Sequence, residues 1–279
     1  MIRLSVNPSH TEPDGKGLIK ITVPAGEAGI CYHILHSENS EMHADNWRIS
    51  SAWICPETSP AFCITERGEW ETAVFLLKSG CFTGGVLHGC EDSGTVRIYT
   101  DGHEVSSHDP LILTASEIRI CTESKLLEPA EEYAPYAVHR KEYCFSGNEL
   151  VIRQNIEWLR SAEAGRCYMA MFPVSKKYSD YLTVKGEKNP VDLRESCELS
   201  FSGVSSVCTF TEDRCFQASF SISDCPKEWM TKGTFLVTDN DGRDYHKMYY
   251  MLPVHGIVEA GEEWHCESHY SFQWESKTE

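Results

Sequence analysis

The decapeptide Phe82–Glu91, FTGGVLHGCE, sets His88 and Glu91 among three glycines. An imidazole titrates near neutrality, and a carboxylate beside it orients the ring or raises its pKa, the arrangement used in general acid or base catalysis. Gly84, Gly85 and Gly89 permit positive φ and close backbone approach, so His88 and Glu91 can share one compact turn at a strand end. The same string also reads as an ordinary turn, with His88 bonded locally and Glu91 in water. A second group, His265, Glu267 and His269, alternates through Trp264–Tyr270. Two imidazoles and a carboxylate are ligand types for a divalent cation. Successive side chains on one strand face stand roughly 7 Å apart, however, too far for all three to share one ion easily. The sequence is therefore read as carrying no metal site and no cofactor, and these residues as a solvated face or part of a substrate cleft.

Arg153, Asn155 and Glu157 make a third group, and Lys247 with Tyr249 or Tyr250 a fourth. Lyase chemistry on a uronic acid takes a cation or amide to neutralise the carboxylate and a Tyr, His or Lys base to remove the adjacent proton. Arg153 and Asn155 are of the first kind, His88 and Tyr250 of the second. The plain alternative pairs Arg153 with a carboxylate on a neighbouring strand. Sugars also stack on aromatic faces. Trp47, in His43-Ala44-Asp45-Asn46-Trp47, sits among polar residues and is the best platform of the seven tryptophans, although large rings more often fill a sandwich core. No GxSxG elbow, P-loop, GxGxxG, HExxH or CxxC pair is present. Asp239–Asp244, DNDGRD, lacks the closing glutamate of a calcium loop and reads as a hairpin turn.

What must position these groups is a succession of strands. Short β-branched or aromatic runs are divided by Gly, Pro, Asn, Asp and Ser about every ten residues. Among them are Leu18–Val23, Gly29–His36, Trp47–Cys55, Glu69–Leu77, Ala137–Phe145, Glu149–Leu159, Asp244–Leu252 and Glu263–Trp274. Only Ser161–Gly165 and the stretch around Ser175–Tyr181 allow a helical turn, and Glu123–Pro135 reads as a connection. The expected fold is all-β: one large antiparallel sandwich with few short helices, residues 1–279 forming a single domain. The period of two assigns faces. Leu150, Ile152, Gln154, Ile156 and Trp158 oppose Val151, Arg153, Asn155 and Glu157; His265, Glu267 and His269 oppose Trp264, Cys266, Ser268 and Tyr270.

The formal charge of −17 argues against a nucleic-acid partner, whose binding needs clustered Lys and Arg. It also repels an acidic polysaccharide at long range unless cations reverse the field inside a cleft. The N-terminal MIRLSVNPSHTEPDGKG lacks an apolar secretory run, and Ala73–Leu77 is far too short to span a membrane. A cytoplasmic protein with no membrane contact is expected, with mostly reduced thiols among its 13 cysteines.

Three patches carry a resemblance: Glu69-Trp70-Glu71 leading into FTGGVLHGCE; His139-Arg140-Lys141-Glu142-Tyr143 followed by Leu150–Leu159; and Tyr168-Met169-Ala170-Met171-Phe172-Pro173. Together they resemble the β-supersandwich proteins that include galactose-mutarotase-like domains and the sandwich domains of polysaccharide lyases. The first also looks like a loop of uncharacterised bacterial and phage-encoded carbohydrate-associated proteins. The resemblance implies a mono- or oligosaccharide bound on a concave sheet face, with a His and a Glu as acid and base. His88 would be the acid, and Glu91, Glu157 or Glu267 the base. On the lyase side, Arg153 and Asn155 would bind the uronate with His88 or Tyr250 near the abstracted proton. Catalytic candidates are thus His88, Glu91, Glu157, His265 and Tyr250, and substrate-binding candidates Arg153, Asn155, Trp47, Lys247, Glu267 and His269. A lyase or epimerase is the leading expectation. The alternative is a non-catalytic carbohydrate-binding or phage-structural sandwich.

Overall fold

The computed structural model describes residues 1–12, 15–56, 61–65, 70, 72–195, 198–239, 243–252 and 254–275. Among these, sixteen strands form one sheet and seven another. The larger sheet runs in the order Leu111–Ala115, Ile2–Glu12, Gly15–Ala25, Ala28–Asn39, Ala44–Pro56, Glu91–Thr100, Glu117–Glu128, Ala134–Ser146, Glu149–Trp158, Glu263–Trp274, Phe216–Asp224, Ser206–Phe210, Tyr181–Val184 and Val191–Asp192. Phe62–Thr65 pairs with Ala44–Pro56, and His103–Val105 with Glu91–Thr100. The smaller sheet is ordered Glu198–Ser202, Thr234–Thr238, Tyr245–Leu252, Ala162–Ser175, Ala73–Leu76 and Cys81–Thr83, with Gly256–Val258 beside Ala162–Ser175. Pairing between these strands is antiparallel except where Ala44 and Asp45 meet Glu91 and Asp92 in parallel, and an isolated parallel bridge joins Gly26 to Trp274. The expected all-β sandwich is what the chain adopts. No helix among the described residues is long and apolar enough to cross a membrane.

Apolar residues at every second position bury one face of each central strand. Leu150, Ile152, Gln154, Ile156 and Trp158 face inward on one strand; Trp264, Cys266, Ser268, Tyr270 and Phe272 do so on its neighbour. Both sheets contribute to one buried cluster, with Phe172 at its aromatic centre. That ring lies 5.3 Å from both Trp70 and Tyr270, 5.6 Å from Phe272 and 5.7 Å from Phe220, mostly edge-on or tilted.

Two sequence expectations change. Ser161–Gly165 is not a helical turn: Ala162 opens a fourteen-residue strand to Ser175, in which Ala164 joins the core and Gly165 lies against Phe75 and Leu77. Glu123–Pro135 is not wholly a connection, because strand Glu117–Glu128 continues through Ser124, Leu126 and Leu127 before a 3-10 turn at Pro129–Glu131. Ser124 stands at an inward position, and its polarity hides the continuation of the strand. The turn expected around Ser175–Tyr181 is the 3-10 turn Lys176–Tyr178. Residues 240–242 of the Asp239–Asp244 turn, and Glu69 and Glu71 of the first resemblance patch, lie outside the described residues.

Replacing Phe172 by Ala is expected to lower unfolding free energy by about 3–5 kcal/mol. The same change at Ile112, which is 67% exposed, should stay within about 0.5 kcal/mol. Urea denaturation of the two variants beside the parent checks this.

Candidate functional site

FTGGVLHGCE folds as a single helical turn, Gly85–His88, with Gly84 at φ 104° and Gly89 at φ 73°. A Cβ on Gly89 would come within 2.2 Å of the Met42 carbonyl oxygen, so only glycine fits there. The turn sends Glu91 into the interior, where it is fully buried. Its Oε2 accepts from the Gly85 amide at 2.5 Å and from Asn46 Nδ2 at 3.0 Å. Its Oε1 accepts from Ser124 Oγ at 2.5 Å and lies 3.2 Å from His139 Nδ1 and 3.3 Å from Lys141 Nζ. Burial pushes this carboxyl up, but Lys141, His139 and Ser124 outweigh it and hold the group well below the usual carboxylate range. The network continues from His139 Nε2 to Gln154 Oε1 at 3.0 Å, and Gln154 Nε2 donates to the Met169 carbonyl of the smaller sheet at 2.6 Å. Thr72 closes it by donating to Gln154 Oε1 at 2.6 Å. Glu91 is therefore a structural anchor between the sheets, and a carboxylate so enclosed does not reach a sugar at the surface.

His88 turns the other way. Its ring meets Phe82 at 5.1 Å, Phe82 stacks on Tyr168 at 5.2 Å, and Tyr168 reaches Tyr249 at 4.5 Å. Lys247 Nζ lies 5.0 Å above Tyr249. His88 and Lys247 thus belong to an aromatic row on the smaller sheet. Tyr250 is buried in the core with its hydroxyl 3.8 Å from Cys225 Sγ, and burial pushes that phenol far up. None of these three lines a cleft on the larger sheet, and Tyr250 has no route to a substrate proton.

Four of the remaining candidates, Arg153, Asn155, His265 and Glu267, line one cleft. Pairing of Glu149–Trp158 with Glu263–Trp274 sets Asn155 opposite His265, Arg153 opposite Glu267 and Val151 opposite His269, which merges two polar faces on the outside of the larger sheet. The next strand brings Glu142 opposite Arg153 and Arg140 opposite Asn155. Arg140, Glu142, Arg153, Asn155, His265 and Glu267 line a cleft of about 610 Å³ that also includes Arg97 and Tyr99, while Val151 and His269 lie outside it. Arg153 Nε donates to Glu267 Oε2 at 2.6 Å and its Nη1 to Glu142 Oε1 at 2.8 Å. Ser223, ahead of Arg153 and His269, holds Glu267 down to about 2. Burial pushes Glu142 up, and hydrogen bonds from Cys144 and Arg153 reverse this to a net lowering. Both acids are thus ionised and ion-paired at neutral pH. His269 lies 2.7 Å from Glu149 Oε1 and 2.8 Å from Ser223 Oγ. Glu157 is not among the residues lining the cleft and accepts from Arg140 Nη1 at 2.8 Å. His265 is about half exposed, with Asp224 Oδ1 3.7 Å from its Nε2.

A second cleft, of about 570 Å³, adjoins the first, and Thr95 and Arg97 line both. Trp47 is here, stacked on His36 at 5.1 Å, while Asp45 hydrogen-bonds the His36 Nε2. Arg97, Glu142, His36 and Asp45 were not singled out from sequence. The alternation Arg140, Glu142, Cys144 was a readable signal for Glu142, whereas His36 and Asp45 are joined only by a strand register that no local pattern announces. No group of three or more His, Cys, Asp or Glu side chains suited to holding a metal ion occurs among the described residues.

The sequence matches no protein-family model and no curated protein. Solved structures share its fold. The Slr1438 protein from Synechocystis sp. PCC 6803 is similar at a TM-score of 0.54 and 10% identity, covering 95% of this chain and 99% of its own. The α-galactosidase from Lactobacillus brevis is similar at 0.55 and 7% identity over 90% of this chain, which spans 39% of the galactosidase. An aldose epimerase homologue from C. elegans aligns over 92% of this chain at 0.44 and 8% identity. The all-β sandwich fold is thus shared with the Synechocystis protein and with the α-galactosidase.

Glu91→Gln is expected to cost about 3–5 kcal/mol at pH 7, because it leaves Lys141 buried beside a neutral amide. The folded-state value of Glu91 lies below the unfolded one, so its contribution is complete above about pH 4.3 and drains away as pH falls toward the folded-state value. Denaturation of parent and variant over a pH series should show their difference narrowing only on the acid side.

Proposed function

We propose that the chain is a carbohydrate-active protein that takes a sugar in the clefts outside its larger sheet and transfers protons to it, as an epimerase does, through His265. The observation that carries this reading is the convergence of Arg153, Asn155, His265 and Glu267 in one cleft, on a fold shared with an α-galactosidase. Asn155 beside His265, with Arg97 and Tyr99 across the cleft, offers donors and acceptors to sugar hydroxyls, and Trp47 offers a ring in the adjoining cleft. His265 is the titratable group suited to the acid or base step, since Glu142 and Glu267 are neutralised by Arg153 and are weak bases. The same ion pairing disfavours the lyase chemistry, because Arg153 already serves two carboxylates and has little charge left for a uronate.

A non-catalytic sugar-binding module is the second reading, favoured by that saturation of the carboxylates. Anomer interconversion followed by NMR exchange on a panel of aldoses separates the two. Turnover that falls about 10²-fold or more in His265→Gln supports the enzyme. Binding without turnover, unchanged in the variant, supports the module, and no binding of any sugar overturns both.

A further inference from the structure

The two clefts outside the larger sheet share a wall, Thr95 and Arg97, and so make one continuous groove. Strand register sets its course. His265 stands opposite Asn155, Asn155 opposite Arg140, and Arg140 opposite Glu123, so the first cleft runs across the strands rather than along them. Thr95 and Arg97, on the strand beyond Glu123, carry the groove into the second cleft. There the parallel pairing ends at Asp45 and Asp92, and past it Ser93 on one strand and Trp47 on the other line the opening. From the strand of His265 to that of Trp47, through those of Asn155, Arg140, Glu123 and Thr95, the path along the sheet is roughly 24 Å at about 4.8 Å per strand. That is several times the width of one pyranose ring. Volume agrees: clefts of about 610 and 570 Å³ each fall in the range of about 300–1,000 Å³ that encloses a drug-sized ligand, and together they exceed what a monosaccharide fills.

The far end of the groove presents a fixed ring. His36 stacks on Trp47 at an interplanar angle of 15°, and Asp45 holds His36 by a hydrogen bond. A Cβ on Gly17 would come within 3.2 Å of the indole edge, so glycine there leaves the ring its place. Trp47 remains partly exposed in the cleft. Along the groove, charge is met within the protein: Arg153 and Arg140 are ion-paired as described, Lys16 pairs with Glu38 at 2.7 Å, and Asp45 with His36. A charged ligand would have to break such pairs, whereas sugar hydroxyls use the donors and acceptors that the pairs leave over.

We propose that the groove holds an uncharged oligosaccharide laid across the strands, with its reacting ring at His265 and a distal ring against Trp47. The proposal rests on the sugar reading above and adds the length, charge and direction of the ligand. Once one ring is engaged, the rings linked to it meet the second cleft at high effective concentration, so affinity climbs with length until the groove is filled.

The full chain is titrated calorimetrically with glucose, galactose and mannose, and with malto-, cello-, manno- and galacto-oligosaccharides up to the hexamers. In one series affinity is expected to rise roughly tenfold or more from the single ring and to level off at the longer members. Trp47→Ala should lower the ratio of hexamer to single-ring affinity roughly tenfold, while Ile112→Ala, outside both clefts, should keep the parent's ratio. If Trp47→Ala fails to fold, Trp47→Phe keeps a ring, and the tryptophan fluorescence change that the hexamer produces in the parent should be lost in it. A flat series, with single rings bound as tightly as hexamers, overturns the oligosaccharide and leaves the sugar reading standing. A rising series without turnover supports the oligosaccharide and overturns the epimerase. Tighter binding of oligogalacturonate than of every neutral series overturns the uncharged ligand, and no binding in any series overturns both readings.

Discussion

A carboxylate closed off from water between two sheets has to be answered by charge and hydrogen bonds, and the answer given to Glu91 shapes the rest of the molecule. Lys141, His139, Ser124 and Asn46 come from three strands of the larger sheet, and the Gly85 amide from the turn that precedes Glu91. Removing any partner would leave polar groups unpaired in an apolar medium, so the strands and the turn are held in one mutual arrangement. Through Gln154 and Thr72 the same set reaches the smaller sheet, which fixes how the two layers sit across the core.

The outward face depends on that inner order. Glu142 and Arg140 alternate with His139 and Lys141 on one strand, and Arg153 and Asn155 flank Gln154 on the next. Each inward partner fixes the register that aligns the outward cleft, and a slip by one residue would turn Arg153 inward and Gln154 to water. In the cleft itself most charge is already balanced. Arg153 is shared between Glu142 and Glu267, and Arg140 between Glu123 and Glu157. Such a surface presents positioned donors and acceptors rather than a strong net field.

The fold was largely legible in the sequence because alternation is local. The faces of Leu150–Trp158 and Trp264–Tyr270 follow from a period of two, and their convergence needed only that the strands be neighbours. What failed was of two kinds. A polar residue at an inward position, Ser124, hid how far strand Glu117–Glu128 continues, and small residues at Ala162–Gly165 imitated a turn. Within FTGGVLHGCE, residue types gave no indication of which of His88 and Glu91 would point inward. That depends on Lys141 and His139, some fifty residues later, and on a parallel pairing with Ala44 that no local pattern encodes. Tyr250 was misread for a related reason: Tyr249 and Tyr250 are adjacent and alike, and only the sheet decides which is core.

The parallel junction of Ala44 and Asp45 with Glu91 and Asp92 has a kinetic meaning. Asn46 and Glu91 are 45 positions apart in the chain, and hairpins cannot bring them together, so the entropy of closing that long loop is met before its contacts form. Until then Glu91 is an ionised group in water with no reason to leave it. Burial of that charge therefore requires closure of that loop, and the two are bound together.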